Sequence, residues 1–136
     1  MEVTKKLNCN SLSKLGYVGN GTGVYAKSRI TSESTLTNKC ITSLKRLLVD
    51  TPHFIRKMSG GHYQRAGLPD LYIQLKGRAL WIEMKLPGGD TTATQRQTMI
   101  NLYEAGAYVA TCESIEEVIA TVGQMLLIES AKRGEY

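Results

Sequence analysis

The chain is 136 residues long, which is enough for one domain with a buried core and too short to divide comfortably into two. It carries 17 Lys or Arg against 12 Asp or Glu, a formal net charge of +5. No run of about eighteen apolar residues occurs, and the charged N-terminus has no continuous apolar stretch, so we expect neither a membrane span nor a signal peptide.

The basic excess is confined to the first half of the chain. Residues 1–68 contain eleven Lys and Arg against three acids, a net of +8, whereas residues 69–136 contain six against nine, a net of −3. A basic half suits a polyanion, because each phosphate neutralised by Lys or Arg releases condensed counterions. A basic surface that serves only solubility is equally compatible with these counts.

The cysteines are odd in number and widely spaced: Cys9, Cys40 and Cys112. No Cys-x-x-Cys pair occurs, so neither a disulfide framework nor a zinc site is predicted. We therefore expect a reducing, cytoplasmic compartment.

Residues 1–30 are predicted to be an appendage, either a hairpin or a mobile arm, around Gly19-Asn20-Gly21-Thr22-Gly23. A helix begins after Ser32, which can act as its N-cap, and Thr51-Pro52 ends the helical pattern. Its inward stripe is formed by Leu36, Cys40, Ile41, Leu44, Leu47 and Leu48.

The next segments favour strands. Residues 53–58 are a candidate strand, and residues 59–67 form a polar, glycine-containing loop. Residues 70–75 and 79–85 alternate strictly between apolar and polar, with Lys76-Gly77-Arg78 as a tight turn between them, which predicts a β-hairpin.

Two capping boxes mark the remaining helices. Thr92 with Gln95 opens a helix that ends near Gly106, residues 107–112 form a strand, and Ser114 with Glu117 opens the last helix. The order is α-β-β-β-α-β-α, and the strand-helix-strand crossover should make the strands at 79–85 and 107–112 parallel. We predict one mixed sheet covered by helices, with a domain over residues 31–130 and a tail at 131–136.

Each strand of the predicted hairpin has one apolar and one polar face. The apolar positions, which we expect to face the core, are Leu71, Ile73, Leu75, Leu80, Ile82 and Met84. If these share one side of the sheet, Asp70, Glu83 and Lys85 share the other. A two-residue Gly77-Arg78 turn would place Asp70 across from Lys85 and diagonal to Glu83.

Two carboxylates on one patch repel each other, and the like charge raises the pKa of a carboxyl group unless something neutralises it. Lys85 can neutralise part of this negative charge, and a divalent cation would neutralise more. Oxygen ligands suit Mg²⁺ or Mn²⁺ rather than zinc, and such an ion can polarise a phosphoryl oxygen. An ordinary exposed salt-bridge cluster is the alternative for the same three residues.

The segment Gly67-Leu68-Pro69-Asp70, followed by Trp81-Ile82-Glu83-Met84-Lys85, resembles the signature of the PD-(D/E)xK nucleases. With Ser59-Gly60-Gly61 before it, and Leu86-Pro87-Gly88-Gly89 and Thr94-Gln95 after it, the segment resembles the viral replication and repair nuclease (VRR-NUC) family, in its stand-alone phage form. The likeness covers about residues 32–126. It implies an α/β, restriction-endonuclease-like PD-(D/E)xK core, a mixed β-sheet flanked by helices.

The resemblance also implies site residues. Asp70 and Glu83 would hold the metal, with the backbone carbonyl of Met84 assisting, and Lys85 would position or activate the attacking water. An acid on the first helix and a Gln after the motif complete the family pattern, and these would be Glu33 and Gln95. Glu33 is alternatively an acid favoured by the helix macrodipole, and Gln95 alternatively serves only its capping box.

Residues near the loop before Asp70 are candidates for DNA contact: Arg56, Lys57, His62, Tyr63 and Arg65. They suit phosphates or base stacking, although a flexible polar loop has the same composition. Trp81 shares the face of Asp70, where it either packs under the helix that contains Gln95 or touches DNA.

The implied function is that of a DNA endonuclease dependent on Mg²⁺ or Mn²⁺. Small stand-alone members of the family resemble phage enzymes that act as homodimers on branched DNA such as four-way Holliday junctions, in replication, recombination or repair inside a bacterial host. The alternatives are a nickase, flap nuclease or exonuclease, and a non-catalytic DNA-binding module. A small-molecule-binding α/β domain is disfavoured, because no Gly-x-Gly-x-x-Gly loop follows a strand.

Overall fold

The computed structural model describes residues 30–58 and 67–134, and these form three α-helices and four β-strands. The order is α-β-β-β-α-β-α, which confirms the predicted order. The elements are α1 (Glu33–Leu47), β1 (Phe54–Lys57), β2 (Leu71–Leu75), β3 (Arg78–Met84), α2 (Ala93–Glu104), β4 (Tyr108–Cys112) and α3 (Ile115–Lys132). The predicted appendage lies outside the described residues except for its last residue, Ile30.

The strands form one mixed sheet in the order β1-β2-β3-β4. The pairs β1–β2 and β2–β3 are antiparallel, whereas β4 runs parallel to β3 after the crossover through α2. The parallel pair confirms the prediction from the strand-helix-strand pattern, because a crossover helix returns the chain to the same end of the sheet.

Helices α1 and α3 pack together on one face of the sheet, and α2 lies on the other face over β4. The core between α1, α3 and the sheet is made of the apolar stripes of all three, except that Leu47 of the predicted α1 stripe is 51% exposed. Its members include Leu36, Cys40, Leu44, Leu71, Ile73, Leu80, Ile82, Val118, Val122 and Met125. The strand alternation therefore separates a core face from a polar face, as predicted.

The register of the β2–β3 hairpin differs from the sequence prediction. The two central turn residues are Lys76 and Gly77, with φ of 51° and 75°, and not Gly77 and Arg78. Positive φ at both central positions is the type I′ geometry, whose twist matches that of the flanking strands. Leu71 consequently pairs with Ile82, and one step further along the ladder Asp70 lies opposite Glu83 rather than opposite Lys85.

The helix caps follow the sequence signals closely. The Ser32 hydroxyl accepts a hydrogen bond from the Thr35 backbone N–H, and Thr92 with Gln95 makes the full capping box of α2. At α3 only half of the predicted box forms. Ser114 accepts from the Glu117 N–H, but the Glu117 carboxylate accepts from the N–H of Glu113 instead of that of Ser114.

Among the residues that the structure describes, no helix is both long enough and apolar enough to cross a membrane.

Candidate active site

Two carboxylates meet at the end of the polar face, where β2 begins and β3 ends. Asp70 directly precedes β2, and its Oδ2 accepts a hydrogen bond of 2.9 Å from the backbone N–H of Met84. This bond exists because the hairpin register carries Asp70 to the level of Glu83 and Met84. The strand pairing thus holds the Asp70 carboxylate against β3, the strand that contains Glu83.

Glu83 is buried, with 2% of its surface exposed. Its Oε1 accepts a hydrogen bond of 3.0 Å from Nε2 of Gln95 and lies 3.6 Å from Nζ of Lys85. Its Oε2 is also buried, and no donor group of the described residues is directed at it. Burial of a carboxylate with an unpartnered oxygen is costly, so this arrangement is suited to a group that supplies positive charge.

The pKa of Glu83 is raised from its ordinary value to about 8. Burial is the largest cause, because it penalises the charged form, and the neighbouring Asp70 adds to it by its charge and by accepting a hydrogen bond from the protonated form of Glu83. The positive charge of Lys85 acts in the opposite direction, and the more remote negative charge of Glu33 raises the pKa further. The Lys85 ammonium alone therefore does not offset the burial of Glu83 and the effect of Asp70.

Lys85 is 8% exposed and is positioned by the sheet. Its backbone N–H donates to the carbonyl of Cys112 at 2.9 Å, which extends the β3–β4 pairing by one residue. Because side chains alternate along a strand, Lys85 projects to the same side as Glu83. The structure thus brings together the three residues that the sequence analysis placed at the centre of the site.

A tight turn connects Lys85 to α2. The backbone N–H of Gly89 donates to the carbonyl of Leu86 at 2.9 Å, and Gly88 has φ of 83°. Pro87 at the second position and a positive-φ glycine at the third are the sequence of a type II turn. This turn returns the chain towards the sheet, where Thr92 caps the helix that carries Gln95.

The N-terminal part of α2 packs closely against Gly67. This glycine has φ of 83°, and a Cβ built there would lie 2.6 Å from Cγ2 of Thr94 and 3.1 Å from Oγ1 of Thr98. Only glycine fits both the backbone conformation and the approach of the helix. Gly67 is a positioning residue that the sequence analysis did not single out, although it begins the Gly-Leu-Pro-Asp segment.

Glu33 is the first residue of α1 and lies within electrostatic reach of Glu83. In the described ranges, 30–58 and 67–134, no three His, Cys, Asp or Glu side chains lie close enough together to hold a metal ion. Glu33 therefore does not join Asp70 and Glu83 in a three-residue metal cluster among the described residues. A direct part for Glu33 in the site stays a prediction.

The donor set fits a hard divalent cation. The carboxylates of Asp70 and Glu83 are close together, and one Glu83 oxygen is buried with no donor directed at it among the described residues. Burial and the neighbouring Asp70 raise the pKa of Glu83 by more than Lys85 lowers it. Oxygen ligands of this kind are those that Mg²⁺ and Mn²⁺ prefer. The residues that would hold such an ion are Asp70, Glu83 and the backbone carbonyl of Met84.

The structure describes two of the five predicted DNA-contact residues, and these two lie on opposite sides of the sheet. Arg56 is exposed on the polar face, in the row of Tyr72. Lys57 alternates to the opposite side, where its Nζ donates to Oγ of Ser34 at 2.6 Å and to Oδ1 of Asn38 at 3.2 Å on α1. The other three, His62, Tyr63 and Arg65, lie outside the described residues.

Comparison with known proteins agrees with this architecture. No family model matches the chain, and no curated protein sequence does. A solved structure described as a VRR_NUC domain aligns with 69% of this chain and 97% of its own, at a TM-score of 0.53 and 22% sequence identity. The chain therefore has the α/β fold of a VRR_NUC domain, a four-stranded mixed sheet flanked by three helices.

Proposed function

We propose that the chain is a metal-dependent nuclease that hydrolyses phosphodiester bonds in DNA. The observation that carries the proposal is the pairing of half-buried Asp70 with buried Glu83, with Nζ of Lys85 3.6 Å from Oε1 of Glu83, in a fold shared with a VRR_NUC domain. A protein that only binds DNA has no use for two adjacent acids on its binding surface, because any of their negative charge that is not neutralised repels phosphate.

Each residue of the site has a physical part in this reaction. Asp70, Glu83 and the Met84 carbonyl would hold Mg²⁺ or Mn²⁺, which when bound supplies positive charge that stabilises the charge developing on the phosphoryl oxygens. Lys85 offers a cationic hydrogen-bond donor beside Glu83, so it can orient the attacking water and offset negative charge. Gln95 donates to Glu83 and so keeps that carboxylate turned towards Asp70.

The finer proposal is an endonuclease specific for branched DNA, such as four-way junctions, that acts as a homodimer in phage replication, recombination or repair. Its support is the resemblance of the sequence motifs to small stand-alone nucleases of this kind. One short chain has one such site, and symmetric cutting of two strands needs two. A nickase, flap nuclease or exonuclease would use the same residues, and product mapping on branched, nicked and linear DNA separates these activities.

Replacing the lysine tests the chemistry. Labelled four-way junction and linear duplex are incubated with wild type, Lys85→Ala and Lys45→Ala, in Mg²⁺, Mn²⁺ or EDTA. Lys45 is an exposed lysine of α1 and serves as a matched control for the loss of one positive charge. We expect Lys85→Ala to cut about 100-fold more slowly than wild type or more, because it removes a positioned charge next to the reacting phosphate.

Two results would contradict the proposal. Cleavage by Lys85→Ala at the wild-type rate would contradict the role assigned to Lys85. Undiminished cleavage in EDTA would contradict the dependence on a metal ion. A wild-type protein that binds these DNAs without cutting any of them, in either metal, would instead be a binding module.

A further inference from the structure

A row of side chains continues the polar face of the sheet away from the acid pair. Arg56 of β1 pairs with Tyr72 of β2, and Tyr72 pairs with Trp81 of β3. Tyr72 is two residues from Asp70 and Trp81 is two residues from Glu83, so strand alternation places them on the same face at a spacing of about 7 Å. The row is therefore directly adjacent to the candidate active site.

Three aromatic rings on this face form a continuous apolar strip. The Tyr72 ring centroid lies 4.7 Å from that of Trp81 and 6.0 Å from that of Phe54, which it meets edge-on. We call Phe54, Tyr72 and Trp81 the aromatic strip. Phe54 is 53% exposed, although it is a large apolar residue.

No helix in the part of the chain that the structure describes packs over β1 and β2 on the face of the aromatic strip. Helix α1 packs on the opposite face, and α2 lies over β4. Exposed apolar surface that is contiguous and borders a polar site marks a binding surface more often than a solitary exposed residue does.

We propose that the aromatic strip and Arg56 bind unpaired nucleotides of the DNA strand whose phosphate lies at Asp70 and Glu83. The inference rests on the proposed function and adds the substrate class: DNA that contains a single-stranded or splayed segment next to the cut. Aromatic side chains stack on any base, because every base has a π-face, and a guanidinium pairs with phosphate.

Unpaired nucleotides fit this surface better than an intact duplex. In a duplex the base faces are stacked on one another, whereas in a junction, flap or single strand they can turn outward onto aromatic rings. The strip is continuous with the acid pair, so a strand bound at the acids has its neighbouring bases within reach of Tyr72 and Trp81. The positive charge of Arg56 at the far end of the row suits the polyanionic backbone.

Trp81 is the single tryptophan of the chain, so its fluorescence reports on the aromatic strip alone. Emission of Trp81 is followed while the full chain is titrated with a thymidine homo-oligonucleotide in EDTA, which prevents cleavage. In parallel, the affinities for this single strand and for a blunt duplex are measured by fluorescence anisotropy. We expect the single strand to quench Trp81 in wild type.

The variant Phe54→Ala removes one ring of the strip at an exposed position, so the fold should tolerate it. We expect it to weaken single-strand binding by about fivefold to a hundredfold, and to lower the ratio of single-strand to duplex affinity by about fivefold or more. Phe54→Tyr keeps the ring and should restore wild-type binding. Leu127→Ala removes an exposed apolar side chain from α3, on the other side of the sheet, and should leave both affinities unchanged.

Several outcomes would overturn the inference. The first is Trp81 emission that does not change when the protein is saturated with single-stranded DNA. The others concern Phe54→Ala: binding equal to that of wild type, or an equal loss of affinity for the single strand and for the duplex. If Trp81 emission changes with protein concentration in the absence of DNA, the aromatic strip would instead be a contact surface for a second copy of the chain. Because binding is measured without metal, absence of cleavage with intact quenching would contradict the proposed function and leave this inference standing.

Discussion

At the scale of single residues, Glu83 has an unusual environment for a carboxyl group. It is buried, one of its oxygens has no donor among the described residues, and its pKa is raised to about 8. Without a cation the side chain is therefore largely protonated near neutral pH. Positive charge held at this position would lower the pKa of Glu83, so a cation and the proton compete for this carboxylate.

The raised pKa predicts that the metal-free protein becomes less stable as pH rises. Below about pH 4.5 Glu83 is protonated in both states, whereas between about pH 4.5 and 8 the folded state holds a proton that the unfolded state has released. Stability therefore falls across this window, by a few kcal/mol for Glu83 alone.

Urea unfolding in EDTA at several pH values measures the effect, with Glu83→Gln as the control that has no titrating carboxyl at this position. We expect the stability of wild type, relative to that of Glu83→Gln, to decline from pH 5 to pH 8. A difference between the two proteins that is constant or grows with pH would contradict this assignment.

At the scale of elements, the N-terminus of α2 connects the fold to the site. The Gln95 side chain accepts from the Thr92 N–H through Oε1 and donates to Glu83 through Nε2, so one residue both caps the helix and contacts the acid pair. The close approach at Gly67 sets the distance of this helix end from the start of β2.

We expect Gly67→Ala to destabilise the protein by about 1–3 kcal/mol, because alanine is strained at positive φ, and to slow cleavage by displacing Gln95. The matched control is Gly123→Ala in α3, where a Cβ meets nothing within 4 Å. That change should stabilise the helix by about 0.5–1 kcal/mol. Thermal unfolding and cleavage rates measure both variants, and a Gly67→Ala protein as stable and active as wild type would contradict the seating of α2.

At the scale of the whole molecule, a polar cluster joins three elements at the end of the sheet opposite the acid pair. The buried carboxylate of Glu129 in α3 accepts from the Tyr108 hydroxyl at 2.6 Å and lies 3.6 Å from Nε of Arg78 and 3.3 Å from Nζ of Lys132. It thereby links the end of α3 to the starts of β3 and β4. The acid pair lies at the opposite end of β3 from Arg78, so we expect the cluster to affect the candidate active site only through the stability of the fold.

Glu129→Ala should therefore lower stability by about 1.5–3 kcal/mol, because it removes charge-assisted hydrogen bonds and leaves a half-buried hydroxyl without its acceptor. Glu104→Ala, an exposed acid at the end of α2, should change stability by no more than about 0.5 kcal/mol. Chemical denaturation measures both, and cleavage by folded Glu129→Ala should equal that of wild type. Equal stability of the two variants would show that the cluster adds nothing.

Local patterns in the sequence are sufficient for much of this molecule. Element order, the core faces of β2 and β3, and the caps at Ser32 and Thr92 were all predicted, because periodicity and capping act over a few residues. The polar face that brings Asp70, Glu83 and Lys85 together follows from the same alternation.

The tertiary structure decided the register and the approach of α2. A hairpin shifted by two residues keeps every side chain on its face, so the apolar pattern is the same for a Lys76-Gly77 and a Gly77-Arg78 turn. The structure has the former turn, with Lys76 and Gly77 both at positive φ, and so Asp70 lies opposite Glu83. Contacts between residues far apart in the chain, such as Gly67 with Thr94, have no local signature, because they depend on how whole elements pack.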